Sequence, residues 1–323
     1  MTAYIVRRLL QTVVMLFVLS IVFFLLVRYT PTSTCYQQLG CQELMKLDEP
    51  ITSQYISYLS NLLHANLGIS TSGTPVNALI LQRLPATLIL VSISLILQQL
   101  IALPLGMLAA IRQYSRFDQF LTFVSYIFLS IPALVLGNLL LVIVAQELGW
   151  FPAGHSTDLA LPPIGSAEWL AALRQDPGYI LGDLARHLVL PVFVLASGGI
   201  AIDSRFMRGA MLQVLQQDYI RTARAKGVPH RLILFKHAFR NALLPIITNL
   251  GLYLPALVGG VIVVEEAFSY EGIGTFFLDA SDFPVMQAML FFSSIAVLLA
   301  NLLADIGYAY LDPRIRYDTG AGA

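Results

Sequence analysis

No lysine in this chain follows a glycine: Lys46, Lys226 and Lys236 come after Met, Ala and Phe. Without a Gly-Lys pair there is no phosphate-cradling P-loop, so the chain is not itself an ATPase of that class. HExxH, G-x-S-x-G and CxxC are also missing and the histidines are scattered, which removes the usual zinc-hydrolase, serine-hydrolase and dithiol signatures. Cysteine is limited to Cys35 and Cys41. In an oxidising exterior these could close a small loop, or they could remain two thiols; with no histidine beside them they do not suggest zinc. Charge is scarcest of all, at 12% of residues and a formal net charge of +0, and no basic surface suited to nucleic acid follows from it.

What the chain has instead is apolar length. Apolar residues make up 57% of it and the mean hydropathy is +0.74, the composition of a protein that crosses a membrane repeatedly. Leu9–Val27 is free of charge behind Arg7 and Arg8, with no A-x-A pattern after it, and reads as an uncleaved signal anchor and first span. Charge-free runs recur at Leu84–Ile111, Phe120–Gln146, Asn241–Val264 and Phe283–Ala304. Leu188–Ile202 is short by itself, but becomes a span from Leu184 to Met207 if Arg186, His187, Asp203 and Arg205 sit near the interfaces. The expected fold is therefore all-α with six spans.

Orientation follows from lysine and arginine. With both ends inside, the inner segments carry fourteen of these residues and the outer ones five, namely Arg28, Lys46, Arg83, Arg174 and Arg186. That bias places Asp218–Pro245 in the cytoplasm. The outer region Arg28–Arg83 shows one weak helical patch near Ile56–Leu63, and Gly149–Asp183, rich in Pro and Gly, argues against regular structure. Trp150 and Phe151 are suited to anchor at the interface. Inside the spans, Pro104, Pro132, Pro191, Pro245 and Pro255 predict kinks, and Gly106, Gly137, Gly198, Gly199, Gly251, Gly259 and Gly260 predict close helix contacts. Asp203 and Asp305 at inner ends, and Glu265 and Glu266 at the outer end of the fifth span, read as interfacial. No acidic residue is expected mid-span, unlike a proton-driven carrier.

The stretch that organises the rest is Asp218–Pro245, the longest basic segment. A first helix reaches Lys226 and stops at Gly227, and Pro229 cannot continue it, so Gly227–Pro229 is a corner. Met211, Leu215, Tyr219, Thr222 and Lys226 recur at steps of three and four on one side, with Arg221 and Arg224 opposite; after the corner Leu232, Phe235 and Phe239 repeat the spacing. Ala223 and Ala225 leave room for another surface. His230 and His237 sit among arginines, which disfavours a cation site.

This segment resembles the EAA loop of ATP-binding-cassette importer permeases. Asp218–Gly227, DYIRTARAKG, is close to the form seen in the dipeptide, oligopeptide and nickel permease family. It departs from the general motif at Arg221 and Thr222, where Glu and Ala are usual, and in a longer interval to Leu244-Pro245. In order along the chain, Leu84–Ile111, Ser130–Leu141, Leu148–His155, His187–Ala196, Val263–Ala280 and Ala304–Tyr317 also resemble segments of that family.

The resemblance implies a type I importer permease in a bacterial inner membrane, with cytoplasmic termini. Residues 1–83 would hold the first helix and outer loop, 84–311 the transmembrane domain with a coupling loop at 208–240, and 312–323 a tail. It implies a homologous sister permease, an extracytoplasmic binding protein and two ATPase subunits that bind ATP and Mg²⁺, with no cofactor in this chain. Coupling to the ATPase would fall to Asp218, Tyr219, Arg221, Thr222, Ala223, Arg224, Ala225, Lys226 and Gly227. The expected cargo is peptide; a nickel chelate, glutathione or an oligosaccharide is the alternative. A secondary carrier or an intramembrane enzyme is the rival class, and no charge-free run contains the paired groups an enzyme would need.

Overall fold

The computed structural model describes residues 2–29, 49–70, 72–243, 245–246, 261–277 and 282–311. Cys35 and Cys41, most of the Asn241–Val264 run with Gly251, Pro255, Gly259 and Gly260, and the tail 312–323 lie outside the described residues. The rest is helical: α1 (Thr2–Tyr29), α2 (Ile51–Leu63), α3 (Val76–Ile111), α4 (Arg116–Ser130), α5 (Ala133–Leu140, wound on as a π-helical turn over Leu141–Glu147), α6 (Ala167–Gln175), α7 (Pro177–Leu215), α8 (Asp218–Ala225), α9 (His230–Leu232, then π-helical over Ile233–Phe239), α10 (261–267), and α11 (Phe283–Leu311).

The first four expected spans are recovered with changed ends, and Pro284–Leu299 of the sixth is a shorter apolar helix. Arg7–Leu26, α3 and α7 are each long and apolar enough to cross a membrane, and α4 with α5 forms a further apolar pair bent by 95°. At about 1.5 Å per residue α3 and α7 each exceed 50 Å, well beyond a hydrocarbon core of about 30 Å. The fourth span, short by itself in the sequence, extends over the 39 residues of α7. The Gly149–Asp183 loop, expected to be irregular, contains α6 and the first turns of α7. Ser166 accepts from the Trp169 amide at 3.0 Å and Asp176 from the Tyr179 amide at 3.0 Å, and Pro177 occupies a first helical position, where its missing N–H costs nothing.

The break between α4 and α5 falls at Ile131-Pro132, where proline removes a backbone donor. A bend of that size fits either a broken span or a re-entrant loop, and the packing of α3 on α7 distinguishes them. Gln98 contacts Gly199 and Asp203, whereas Gly106 further along contacts Ser204, Met207 and Arg208. Both numbers rise together, so α3 and α7 run parallel. The chain between them must cross the membrane once more, and α4–α5 is the broken third span.

The placement of one acidic group is corrected and the surroundings of a second are defined. Asp203 is not interfacial: it is buried between α3 and α7 at 2% exposure, and its Oδ2 accepts from Gln98 Nε2 at 2.7 Å and Gln99 Nε2 at 2.5 Å. Those glutamines fall midway along the Leu84–Ile111 run, which a search for charges passes over. Glu265 is fully buried, accepting from Thr87 Oγ1 at 2.5 Å and the Gly274 amide at 2.6 Å. Gly272 and Gly274 make room for that carboxylate, since a methyl group on either would overlap it. Among the expected close-contact glycines, Gly106 allows α7 within reach of its own backbone, because a Cβ there would stand 2.3 Å from the Ser204 carbonyl. Gly198 has open space around it.

The core lies in separate zones. An outer one joins Leu90, Leu136, Trp169, Ile180, Val264, Phe268 and Tyr270, and an inner one joins Met107, Met207, Met211, Ile220, Ile233, Leu234 and Ala238. The inner zone carries the basic corner.

Candidate functional site

Helix α7 ends at Leu215, and Gln217 turns the chain into α8. Met211 and Leu215 therefore belong to a different helix from Tyr219, and the single amphipathic face expected across them is divided. The inward residue of α8 is Ile220, fully buried against the inner core, with Ala223 and Val228 partly buried beside it. Tyr219, Thr222 and Lys226, expected on a mostly apolar side opposite Arg221 and Arg224, instead share the exposed surface with Asp218, Arg221, Arg224, Ala225 and Gly227. The reason is register: once α7 stops, the helical phase restarts at Gln217, and only Ile220 offers a large aliphatic group to the core.

The corner itself is as read. Gly227 has φ +73°, the left-handed conformation that costs glycine nothing. Its amide donates to the Arg224 carbonyl at 3.0 Å and the Val228 amide donates to the Ala223 carbonyl at 3.2 Å. That pair of bonds is the Schellman closure, which satisfies carbonyls the helix end would leave bare. Pro229 then opens α9, accepting from the Leu232 and Ile233 amides at 2.9 and 3.1 Å. On this second arm Ile233, Leu234 and Ala238 face the core, while Leu232 and Phe235 are exposed. The expected apolar side of Leu232, Phe235 and Phe239 is displaced because the π-helical turn over Ile233–Phe239 adds a residue to the period.

The result is a two-armed corner closed by backbone hydrogen bonds. Its inner side is anchored by Ile220, Ile233 and Leu234. Its outer side mixes Arg221, Arg224 and Lys226 with the exposed rings of Tyr219 and Phe235. The Asp218–Arg221 ion pair at 3.6 Å joins two strongly exposed side chains, so it holds little and leaves the guanidinium available.

Two residues behind this projection escaped the sequence reading. Arg208, on the last turns of α7, makes a two-pronged ion pair with Asp118 at the start of α4, Nε–Oδ1 2.6 Å and Nη2–Oδ2 2.7 Å. Asp118 also accepts from the Tyr114 amide at 2.9 Å, and its own amide reaches Ser115 Oγ at 3.3 Å. The signal was present as Ser115-x-x-Asp118, a helix-start pattern; what it could not reveal was the arginine across from it. The ion pair thereby ties the end of α7 to the start of α4.

At the opposite end, Glu271 accepts from Ser156 through both its amide (2.7 Å) and its hydroxyl (2.6 Å) and pairs with His155 Nδ1 at 2.6 Å. Burial works to raise the Glu271 carboxyl, but the bonds from Ser156 and His155 outweigh it and hold it below the ordinary carboxylate value.

Residues 102–317 match the family described as binding-protein-dependent transport system inner membrane component. The oligopeptide transport system permease protein AppB of Bacillus subtilis (strain 168) is 40% identical over 332 residues, covering 98% of this chain and 100% of that protein. The di/tripeptide transport system permease protein DppB of Pseudomonas aeruginosa (strain UCBPP-PA14) is 34% identical, covering 98% and 99%. The glutathione transport system permease protein GsiC of Escherichia coli (strain K12) is 33% identical, covering 98% and 100%.

Proposed function

Because this chain belongs to the family of binding-protein-dependent transport system inner membrane components, we propose that it forms half of the pathway of an ATP-driven importer of short peptides, driven through the α8–α9 corner. It is a multi-pass transport permease of the inner membrane and not an enzyme. The other half is a homologous sister permease. An extracytoplasmic binding protein delivers the cargo, and two separate ATPase subunits bind ATP and Mg²⁺. Residues 1–83, 84–311 and 312–323 serve as first span with outer loop, transporting domain and tail.

The observation that carries the coupling role is the corner's construction. Gly227 and Pro229 turn two arms away from a buried anchor at Ile220, and the surface they present is basic and aromatic. A mobile headgroup loop would need no such anchoring. Asp218, Tyr219, Arg221, Thr222, Arg224, Ala225, Lys226 and Gly227 meet the ATPase, while Ala223 packs beneath them. When the ATPase pair closes on ATP the corner moves as a body, taking the end of α7 with it and, through Arg208–Asp118, the start of α4.

Peptide is the favoured cargo because the relatives AppB and DppB are named for oligopeptides and di/tripeptides. Glutathione, in the name of GsiC, is itself a short peptide and the second candidate. Reconstitution tests the whole reading: vesicles holding this chain, its sister and both ATPase subunits should take up labelled dipeptide only with ATP and loaded binding protein. Glutathione in excess then reports whether the two compete. Uptake without ATP, or ATP turnover by this chain alone, would overturn it.

A further inference from the structure

At the outer end a cavity of about 240 Å³ opens between the start of α3, the 156–164 loop and Glu271, with Gln82, Arg83, Asp158, Leu159, Ile164 and Glu271 among its walls. Arg83 is partly buried there. Its Nη1 donates to Thr275 Oγ1 at 2.7 Å, and its guanidinium lies 4.3 Å from the centroid of the Phe276 ring. A guanidinium has five N–H donors in a fixed fork. One is used, and among the described residues no carboxylate forms an ion pair with Arg83. The Glu271 carboxylate is occupied by His155 and Ser156. The Glu271 and Glu265 carboxylates lie close enough to act on this cation through space but bond to other partners, so a guanidinium held by an aromatic ring and half out of water keeps its remaining donors for a planar anion.

The rim narrows the choice of anion. Asp158 is exposed at the cavity, with Oδ1 accepting from the Ala160 amide at 3.0 Å, and no basic side chain among the described residues pairs with it. Together Asp158 and Glu271 make the mouth acidic, which repels a lipid phosphate or any purely anionic ligand. A molecule with an ammonium as well as a carboxylate satisfies both sides. The volume suits one end of a chain or a very short peptide, not an extended one. We propose that this cavity is a receiving site for the free termini of a zwitterionic peptide, its carboxylate on Arg83 and its ammonium on Asp158. This rests on the peptide-importer reading and adds a place where cargo pauses on the permease itself.

The test leaves out the binding protein, which has its own preference for termini. This chain with its sister permease in nanodiscs is titrated with Ala-Ala, Ala-Ala amide and N-acetyl-Ala-Ala, binding being read by saturation-transfer NMR. Ala-Ala should bind, and the amide about tenfold more weakly, the loss of one charge-assisted pair. Arg83→Gln should bring Ala-Ala down to the amide's level. Because Arg83 also braces Thr275 and Phe276, Asp158→Asn on the exposed rim is the second variant: it should erase discrimination against N-acetyl-Ala-Ala and leave that against the amide intact. No binding by the wild type, equal binding of all three probes, or wild-type binding of Ala-Ala by Arg83→Gln would each sink the receiving site. ATP-dependent uptake by the wild-type complex is measured in parallel. If uptake persists while the site fails, only the site is wrong; if uptake is absent, the importer reading falls.

Discussion

Replacing Gly227 tests the corner at the one backbone position it cannot do without. At φ +73° a side chain with a Cβ meets its own carbonyl, at a cost of about 1–2 kcal/mol for an L-residue. Nothing lies within 4 Å of where that Cβ would stand, so collision with the rest of the protein adds nothing and the whole penalty is conformational. Asparagine tolerates the left-handed region better than alanine, and a β-branched residue tolerates it least. The expected order of damage is therefore Asn, Ala, Val. A penalty of 1–2 kcal/mol lowers the population of the closed corner by a factor of about 5–30 relative to frayed forms, because both Schellman bonds depend on this residue. The spans α3 and α7 insert by their apolar length and should do so normally. Pull-down of the ATPase subunits and peptide uptake in reconstituted vesicles read docking and coupling, and amide exchange over residues 218–239 reads the corner directly. Wild-type docking, uptake and exchange for Gly227→Val would refute the reasoning. So would Asn proving worse than Val, since that order cannot come from backbone strain.

Ile220→Ala should cost about 2–5 kcal/mol by emptying a fully buried site and speed exchange throughout α8, whereas Tyr219→Ala, on a ring 44% exposed, should leave thermal unfolding unchanged and weaken ATPase binding; the reverse pattern would mean the faces are misassigned. At the outer end, Glu271 carries a depressed folded value, so its contribution is complete above the unfolded carboxylate value of about 4.3 and is lost as pH falls through the lower folded one. Amide exchange at Ser156, whose N–H donates to Glu271, should accordingly speed up in that acid window, and Glu271→Gln should remove the pH dependence.

Sequence alone determined the medium, the direction and the corner. Apolar run length against bilayer thickness separates a spanning helix from a soluble one, and the lysine and arginine bias orients it; both are properties of the chain counted residue by residue. Gly227 and Pro229 act through their own φ and missing N–H, so their meaning is local and survived intact. The faces of the corner did not, because helical phase depends on where α7 stops and on a π-helical turn, and neither is encoded by spacing alone. Asp203 with Gln98 and Gln99, Asp118 with Arg208, and Glu265 with Thr87 and Gly274 were decided only by tertiary structure. Each joins groups far apart in sequence, and in an apolar interior a polar group is held by whichever partner the helix packing brings within reach, which no count of residues along one segment can supply.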